Sequence, residues 1–276
     1  MSVLVGTSGW SYRSWRGPFF PENVTLKDHL HFYATQFPTT ELNGVFYRTP
    51  TTDAVRGWRE VTPDDFIFAW KASRFITHWK RLSENSRSSL TLMETRLHLL
   101  GDKVGPILFQ LPARFTANQN RLAQFIILLK TKRRYAFEFR HSSWFEPAIV
   151  DLLRDNDISL CISDHHDAPA PWEITASFVY VRAHGPRGTY AGRYSKKRLC
   201  EWAARIAKWN CDVYVYFDND QKSAAPKDAQ RLKEIVEQHS QKMADGRCKA
   251  PKSVDFETRL RSLFPLRRDQ SSIVGF

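Results

Sequence analysis

One segment decides the fold of this chain: YAFEFRHSSW, residues 135–144. Successive side chains of a β-strand point to opposite faces, so Phe137 and Phe139 share one face while Glu138 and Arg140 share the other. In a sheet with one wet face, the charged pair would lie in solvent. In a closed barrel, the aromatic rings would pack against helices and the charged pair would point into the lumen. The remainder of the sequence favours the barrel.

Short apolar runs alternate with helical patterns along most of the chain. Strands are predicted at 3–6, 39–43, 66–73, 106–112, 135–140, 158–164, 178–184 and 213–220. Helices are predicted at 25–37, 51–61, 88–100, 120–130, 147–156, 195–209 and 226–240, with Thr25 and Ser195 as expected N-caps. Eight strands, nearly all followed by a helix, predict a single (β/α)8 TIM-barrel-like domain of the α/β class, a fold that typically takes about 250 residues.

Two regions depart from this alternation. The segment 165–175 contains Pro169 and Pro171 and has no helical period, so the sixth β/α connection is expected to be an irregular loop. The pattern also changes after residue 242. The sequence therefore predicts a barrel over residues 1–242 and a basic C-terminal extension over residues 243–276.

The composition restricts the class of protein and the kind of partner. Lysine and arginine exceed aspartate and glutamate by 41 − 29 = 12, which favours an anionic partner, either a small molecule or a nucleic acid. No apolar run approaches the roughly 20 residues of a membrane helix, and no signal peptide is recognised, so a cytoplasmic location without membrane contact is expected. The cysteines lack metal-ligand spacing and are interpreted as reduced thiols: Cys161, Cys200, Cys211 and Cys248.

The alternation turns a polar residue into the predicted lumen at or just after the end of nearly every strand. These residues are Glu41, Asn43, Lys71, Gln110, Glu138, Arg140, Asp164, Arg182, His184 and Asp218. Burying one such charge without a partner costs several kcal/mol, so the set requires an explanation. One interpretation is a plug of mutually neutralising charges. The favoured interpretation is a binding or active site, because barrel chemistry takes place at the C-terminal ends of the strands.

The carboxylates of this set are the candidate catalytic residues. Glu41 and Glu138 would serve as nucleophile and general acid if their carboxyl groups lay about 5 to 9 Å apart, as in glycosidases. Asp218 is a third candidate for acid–base work or metal binding. Lys71 would form a Schiff base if its pKa were depressed, but an ion pair with Glu41 or Glu138 is the favoured interpretation.

The cations of the set suit an anionic ligand. Arg140, Arg182 and His184, together with Lys71, form a plausible clamp for a phosphate or carboxylate group. The segment TYAGRYSKKR, residues 189–198, mixes tyrosines with basic residues and suits single-stranded nucleic acid.

Several motifs together resemble one protein family. GTSGWSYRSWRG, ELNGVFYRTP, FIFAWKAS, ITHWKRL, ILFQLP, FEFRHSSWF, YVRAHGPRGTYAGRYS and VYVYFDND occur in this order over about residues 3 to 240. They resemble the domain-of-unknown-function 72 family, also called YecE-like. The resemblance implies a β/α barrel and no agreed activity, and it adds five loop positions to the candidate substrate-binding residues: Trp10, Tyr47, Tyr190, Tyr194 and Asn219. One departure is Asp218, where the family pattern usually has Asn.

A looser resemblance, to endonuclease-IV-like and sugar-isomerase-like barrels, raises the question of a divalent metal. The cations among the carboxylates oppose metal binding, and Mg²⁺ or Mn²⁺ held by oxygen ligands is slightly favoured over Zn²⁺. His165 and His166 in the proline loop are expected to be solvated rather than ligating. His78 is expected to cap or to pack.

The favoured function is an enzyme with a hydrolytic step that acts on a phosphate-bearing or polyhydroxyl substrate: a nucleotide, a nucleic acid or a sugar. One alternative is a nucleic-acid-binding barrel without catalysis. Another is a carbohydrate-active barrel, which would require Trp10, Trp144 and Trp172 to be exposed at its mouth. The sequence leaves the oligomeric state open.

Overall fold

The computed structural model describes residues 1–130 and 132–244. Nine strand segments form one sheet in the order β6-β5-β4-β3-β2-β1-β9-β8-β7, and all the paired strands are parallel. The strands are β1 Val3–Ser8, β2 Thr39–Leu42, β3 Ile67–Lys71, β4 Val104–Gln110, β5 Tyr135–Glu138, β6 Ser159–Leu160, β7 Ile162–Ser163, β8 Phe178–Ala183 and β9 Asp212–Phe217.

The cylinder closes through a single extended segment. The short strands β6 and β7 are separated only by Cys161; β6 pairs with β5, whereas β7 pairs with β8. Together they are the one strand predicted at 158–164, which divides its hydrogen bonds between its two neighbours. The prediction of a TIM-barrel-like α/β fold is confirmed.

Helices follow most of the strands and cover the barrel. They are α1 His29–Gln36, α2 Gly44–Tyr47, α3 Thr52–Glu60, α4 Arg87–Leu100, α5 Gln119–Ile127, α6 Pro147–Asp155, α7 Lys196–Ile206 and α8 Ala224–Ala244. Residues 164–177, between β7 and β8, contain no helix, as the prolines predict. Ser195 caps α7 by accepting a hydrogen bond from the Arg198 N–H at 3.2 Å.

The cap predicted at Thr25 is wrong. A 3-10 turn over Leu26–Asp28 comes first, and the Thr25 hydroxyl donates to the Asp28 carboxylate instead of accepting from a backbone N–H. The α-helix therefore begins only at His29.

Two layers fill the lumen. The lower layer is apolar and aromatic, and consists of Ala69, Leu108, Ala136, Cys161, Phe178, Tyr180, Tyr214 and Tyr216, all of them buried. The upper layer contains the charged residues that follow them at the C-terminal ends of the strands. On the outer face of β5, Phe137 stacks on Phe109, and Phe139 just beyond the strand stacks on Trp144, with ring centroids 5.2 and 4.7 Å apart. The inward position predicted for Glu138 and Arg140 is confirmed by their buried ion pair.

The barrel forms one compact unit over Met1–His239. The basic extension predicted at 243–276 lies outside the described residues from 245 onwards. Among the helices of the described part of the chain, none combines the length and the apolar character needed to cross a membrane.

Candidate functional site

Arg182 lies at the centre of the charged layer and is fully buried. Its Nε and Nη2 donate to the two carboxylate oxygens of Glu41 at 2.9 and 2.8 Å. Its Nη1 donates to Glu138 Oε2, and its Nη2 also donates to Asp218 Oδ2, both at 2.8 Å. One guanidinium group therefore bonds carboxylates at the ends of three strands. Its planar, forked arrangement of donors suits this task better than a point charge would.

Arg140 and His184 extend this network towards the rim. Arg140 Nε donates to Glu138 Oε1 at 2.7 Å, and its Nη1 donates to the Tyr190 hydroxyl at 2.9 Å. His184 Nε2 lies 3.2 Å from Arg140 Nη2 and 3.0 Å from Arg182 Nη1. Since a guanidinium group can only donate, His184 Nε2 accepts both bonds, and these contacts assign the ring proton to Nδ1.

The two glutamates of the network remain ionised. Burial opposes their ionisation, but Arg182 lowers the pKa of Glu41, and Arg140 with Arg182 lowers the pKa of Glu138 well below its ordinary value. Neither side chain is exposed. A general acid must hold a proton near neutral pH, and these contacts stabilise the form without one. The acid–base roles of Glu41 and Glu138 stay predictions.

Lys71 does not form the ion pair expected of it. Its Nζ donates to Asn43 Oδ1 at 3.1 Å and lies 4.5 Å from the centroid of the Phe46 ring. Within the described residues, no carboxylate oxygen lies at ion-pair distance from this ammonium group. The expectation is wrong because the two arginines already engage Glu41 and Glu138.

The surroundings of Lys71 lower its pKa. Burial and the positive charge of Arg182 both favour the neutral amine, and the carboxylates of Glu41, Asp218 and Glu138 offset them only in part. The result is a pKa of about 8 for Lys71.

Three of the predicted substrate-binding residues fasten the loops of the rim. Asp164 accepts hydrogen bonds from the backbone N–H of His184 at 2.7 Å and from the Tyr194 hydroxyl at 2.5 Å. Asn219 Nδ2 donates to Asp228 Oδ2 at 3.0 Å. Tyr194 is buried, so its ring does not face solvent. A substrate-binding role of Asp164, Tyr194 and Asn219 stays a prediction.

The other predicted residues lie closer to solvent. Trp10, Asn43 and Tyr47 line a cleft of about 630 Å³ between the loops that follow β1 and β2. Trp10 packs edge to face on Trp58, with ring centroids 5.7 Å apart, and Tyr47 is 61% exposed. Gln110, at the end of β4, is half-buried. The sequence thus brings the charged layer and an aromatic-walled cleft to the same end of the barrel.

Two further arginines were missed by the sequence reasoning. Arg74 and Arg81 are exposed in the loop after β3, and with Lys71 and Arg140 they form a group that we call the cationic rim. All four charges act on His78: its burial, and then Lys71, Arg140, Arg74 and Arg81 in that order, lower its pKa to about 4. Arg81 also has a strained backbone, with φ at 47°. The segment SRFITHWKRL, residues 73–82, is rich in basic and aromatic residues, and this composition could have indicated the two arginines as candidates.

Comparison with known proteins identifies the family. The sequence model of a family described as "Protein of unknown function DUF72" matches residues 4–253. The chain belongs to the DUF72 family.

Relatives of this DUF72 protein share its sequence in part or over most of its length. The UPF0759 protein YecE of Escherichia coli K12 is 31% identical over 145 residues, which are 52% of this chain and 50% of YecE, so this match spans about half of that relative. The UPF0759 protein YunF of Bacillus subtilis is 24% identical over 273 residues, 85% of this chain and 95% of YunF. Crystal structures of DUF72 family proteins from Thermotoga maritima and Enterococcus faecalis superimpose with TM-scores of 0.77 and 0.73, at 25% and 18% identity; they cover 86% and 85% of this chain and 100% and 95% of their own. These similarities support the fold and name no activity.

The DUF72 protein has one group of side chains with ligand atoms close enough for a metal among its described residues: His165, His166 and Asp167. The expectation that both histidines are solvated is wrong for His165, which is buried. The two rings stack, with centroids 4.5 Å apart and an interplanar angle of 27°. Imidazole lone pairs lie in the ring plane, so stacked rings direct them side by side rather than towards one ion. Burial and the nearby Arg140 also lower the pKa of His165 to about 4, which marks surroundings unfavourable to a cation.

The carboxylates predicted as ligands for Mg²⁺ or Mn²⁺ are engaged by protein groups. Arg182 takes the position among Glu41, Glu138 and Asp218 that a divalent cation would need. The divalent metal stays a prediction, and no step of the proposed function depends on it.

Proposed function

We propose that this DUF72 protein is an enzyme whose site lies at the C-terminal rim of the barrel and whose substrate carries a phosphate group. The observation that supports this most strongly is the cationic rim. Its members Lys71, Arg74, Arg81 and Arg140 are the four charges with the largest effect on His78, and all are positive. A ligand with negative charge would reduce their mutual repulsion.

The exposed arginines of the rim have N–H groups that are available to a ligand. The Arg74 guanidinium lies over the rings of Tyr47 and Trp79, at 5.6 and 5.3 Å from their centroids, and that of Arg81 lies 5.8 Å from the Phe115 centroid. Among the described residues neither has a carboxylate at ion-pair distance. A guanidinium group above a ring keeps its in-plane N–H groups available, and these match the oxygens of a phosphate.

Asp218 is the carboxylate that we propose for proton transfer. Its Oδ2 is held by Arg182 Nη2, whereas its Oδ1 forms no hydrogen bond within the described residues. Glu41 and Glu138, in contrast, bond through both oxygens. We therefore favour Asp218 over the two glutamates as the carboxylate of the hydrolytic step, with the cations of the rim binding the substrate.

Isothermal titration calorimetry with inorganic phosphate and with a nucleoside monophosphate tests the proposal. The double variant R74A/R81A is expected to bind at least about tenfold more weakly, since each charge-assisted hydrogen bond is worth about 1.5 to 3 kcal/mol. R205A/K208A removes the same charge from exposed positions at the C-terminal end of α7 and serves as the control. Equal affinities of the two variants would refute a specific phosphate site.

A second candidate is a nucleic-acid-binding barrel without catalysis. Exposed aromatic rings adjoin the cations of the rim: Tyr47 is 61% and Trp79 63% exposed, and Arg74 lies over both. Such an arrangement suits stacked bases beside a phosphate backbone. The tyrosines of 189–198 support it less, because Tyr194 is buried.

Salt dependence separates the two candidates. A nucleic-acid-binding barrel would lose affinity for single-stranded DNA steeply with added salt and would be unaffected by D218N. The enzyme requires D218N to lower turnover while binding persists. Purified protein assayed against a panel of phosphorylated compounds, with wild type and D218N side by side, provides the comparison.

The carbohydrate-active alternative requires Trp10, Trp144 and Trp172 to be exposed at the mouth of the barrel, and this requirement is not met. Trp144 lies in the loop after β5 but is buried, and its Nε1 donates to the Phe115 carbonyl at 2.6 Å. Trp172 packs against Trp202 and Trp209. Of the three tryptophans, only Trp10 lines the cleft.

A further inference from the structure

We infer that Lys71 is a nucleophilic amine that forms a Schiff base with the aldehyde or ketone group of a phosphate-bearing substrate. The inference rests on the proposed function for the phosphate, which the arginines of the cationic rim would hold, and it adds the reacting group and the type of bond. Nothing in the proposed binding of phosphate requires the amine to react.

The first observation is the incomplete hydrogen bonding of Lys71. An ammonium group has three donors, and Lys71 Nζ uses one, towards Asn43 Oδ1. Lys103 is equally buried, at 5% exposure, and its Nζ has three acceptors: the Arg59 carbonyl at 2.6 Å, and the Thr62 carbonyl and hydroxyl at 2.7 and 3.2 Å. Burial of a lysine in this protein thus does not by itself leave donors without partners.

The second observation is the place of Lys71 in the barrel. It ends β3 at the rim where barrel active sites lie, and its acceptor Asn43 forms part of the wall of the 630 Å³ cleft. The Phe46 ring covers one side of the ammonium group. Lys71 is not among the residues that line the cleft, so a carbonyl group entering there would reach Nζ where the Asn43 side chain now bonds it.

The third observation is the electrostatic environment. Burial lowers the pKa of Lys71 most, and the positive charge of Arg182 lowers it further, which brings the pKa to about 8. At pH 8 such a lysine is about half unprotonated, while an ordinary lysine with a pKa near 10.4 is less than about 1% unprotonated. The unprotonated amine is the nucleophile.

The step balances without a cofactor. The Nζ lone pair attacks the carbonyl carbon, a C–N bond forms, and a proton moves from nitrogen to the carbonyl oxygen, which gives a carbinolamine. The C–O bond then breaks with loss of water, and the imine remains on Lys71. Hydrolysis of the imine by water releases the carbonyl compound and restores the amine.

Trapping with borohydride tests the inference. Pyridoxal 5′-phosphate supplies an aldehyde and a phosphate, and pyridoxal supplies the same aldehyde without the phosphate. After incubation at pH 8 and reduction, peptide mass spectrometry measures the fraction of each lysine that carries the reduced adduct. We expect Lys71 to react at least about tenfold faster than the exposed lysines, because of its larger unprotonated fraction. Lys103 is the internal control and is expected to remain unmodified.

A pH series and two variants complete the design. The rate at Lys71 should reach half of its maximum near pH 8, and K71R should lose this adduct alone while circular dichroism shows an unchanged fold. K71M is a second variant with the same expectation. No adduct at Lys71, or a rate that follows that of the exposed lysines at every pH, would overturn the inference.

The same data keep the inference and the proposed function apart. Modification of Lys71 by pyridoxal and pyridoxal 5′-phosphate at equal rates would support the reactive amine and contradict the phosphate site. Binding of inorganic phosphate without modification of Lys71 by either aldehyde would support the phosphate site and overturn the Schiff base.

Discussion

Two buried lysines at opposite ends of the barrel differ in what surrounds their ammonium groups. Lys103 precedes β4 at the N-terminal end, and three oxygen acceptors complete its hydrogen bonding. Lys71 ends β3 at the C-terminal end, with one acceptor and a ring face. The contacts of Lys103 are those of a structural residue. Lys71 keeps an incompletely bonded charge beside Arg182, an arrangement typical of active sites, where local stability is lower.

The same contrast holds for the two layers of the lumen. The lower layer is filled by apolar and tyrosine side chains, and the upper layer by a network around Arg182. The network pairs three carboxylates with two guanidinium groups, so the plug interpretation describes its centre. The site interpretation applies to its outer edge, where Lys71, Arg140 and Asp218 reach the rim.

The largest effect is expected for R182M, which leaves Glu41 and Asp218 without an arginine partner and Glu138 with Arg140 alone. Removal of one partner of a buried ion pair typically costs about 3 to 5 kcal/mol of unfolding free energy. R134M is the matched control at the other end of the barrel, where Arg134 bonds Asp212 and Tyr214 but is 42% exposed, and it should cost about 1 kcal/mol or less. Urea unfolding of both variants measures the difference. Equal losses would remove the contrast between the two ends.

Acid should act on the same network. The pKa values of Glu41 and Glu138 are lowered from 4.5 in the folded protein, so the unfolded chain binds more protons as the pH falls. Their contribution to stability is fully present above pH 4.5 and is lost as the pH falls through the lowered folded values. Urea midpoints from pH 7 to pH 3 should show a steeper acid loss for wild type than for R182M. Parallel curves would contradict the assignment to these glutamates.

The two lysines should respond with opposite signs. K103M leaves the Arg59 and Thr62 oxygens without a donor and should cost about 1 to 3 kcal/mol. K71M removes an ammonium group whose pKa falls from 10.5 to about 8 on folding, and it should raise stability at pH 7 by up to about 3 kcal/mol. In wild type, stability should rise between pH 8 and pH 10.5 as the unfolded chain holds the proton of Lys71 more tightly, and K71M should lack this rise. A loss of stability in K71M equal to that in K103M would make the two lysines equivalent.

The smallest effect on stability is expected at the outer edge of the rim. Tyr47 is 61% exposed, so Y47A should change the unfolding free energy by no more than about 0.5 kcal/mol. The same variant should weaken binding of single-stranded DNA by about 1 to 3 kcal/mol if bases stack there. Fluorescence anisotropy with labelled oligonucleotides decides whether the aromatic rings of the rim contact nucleic acid.

The fold was predictable because its signals are local. The alternation at 135–140 places the aromatic rings outside and the charges inside, and the structure confirms both. Ser195 caps its helix as expected, but Thr25 does not, because the Asp28 carboxylate competes for its hydroxyl. The divided pairing on either side of Cys161 depends on both neighbouring strands at once, so the sequence of one strand does not show it.

The sequence predicts which residues form the site but not which of them bond to one another. Parity brings Glu41, Glu138, Lys71 and Arg182 into one layer, but it does not say which cation takes which carboxylate. The forked geometry of Arg182 gives it both glutamates and leaves Lys71 with an amide. Arg74 and Arg81 lie in a loop, where strand parity gives no direction.

The pKa of the Lys71 amine decides whether this lysine is a reactive amine or an ion-paired one. NMR titration of the lysine side-chain nitrogens, with the Lys71 signal assigned by its loss in K71R, would follow it in the intact protein. We predict a midpoint near pH 8 that moves upward when phosphate is bound. A midpoint at or above the ordinary lysine value of about 10.4 would show that Lys71 is ion-paired and would overturn its assignment as a nucleophile.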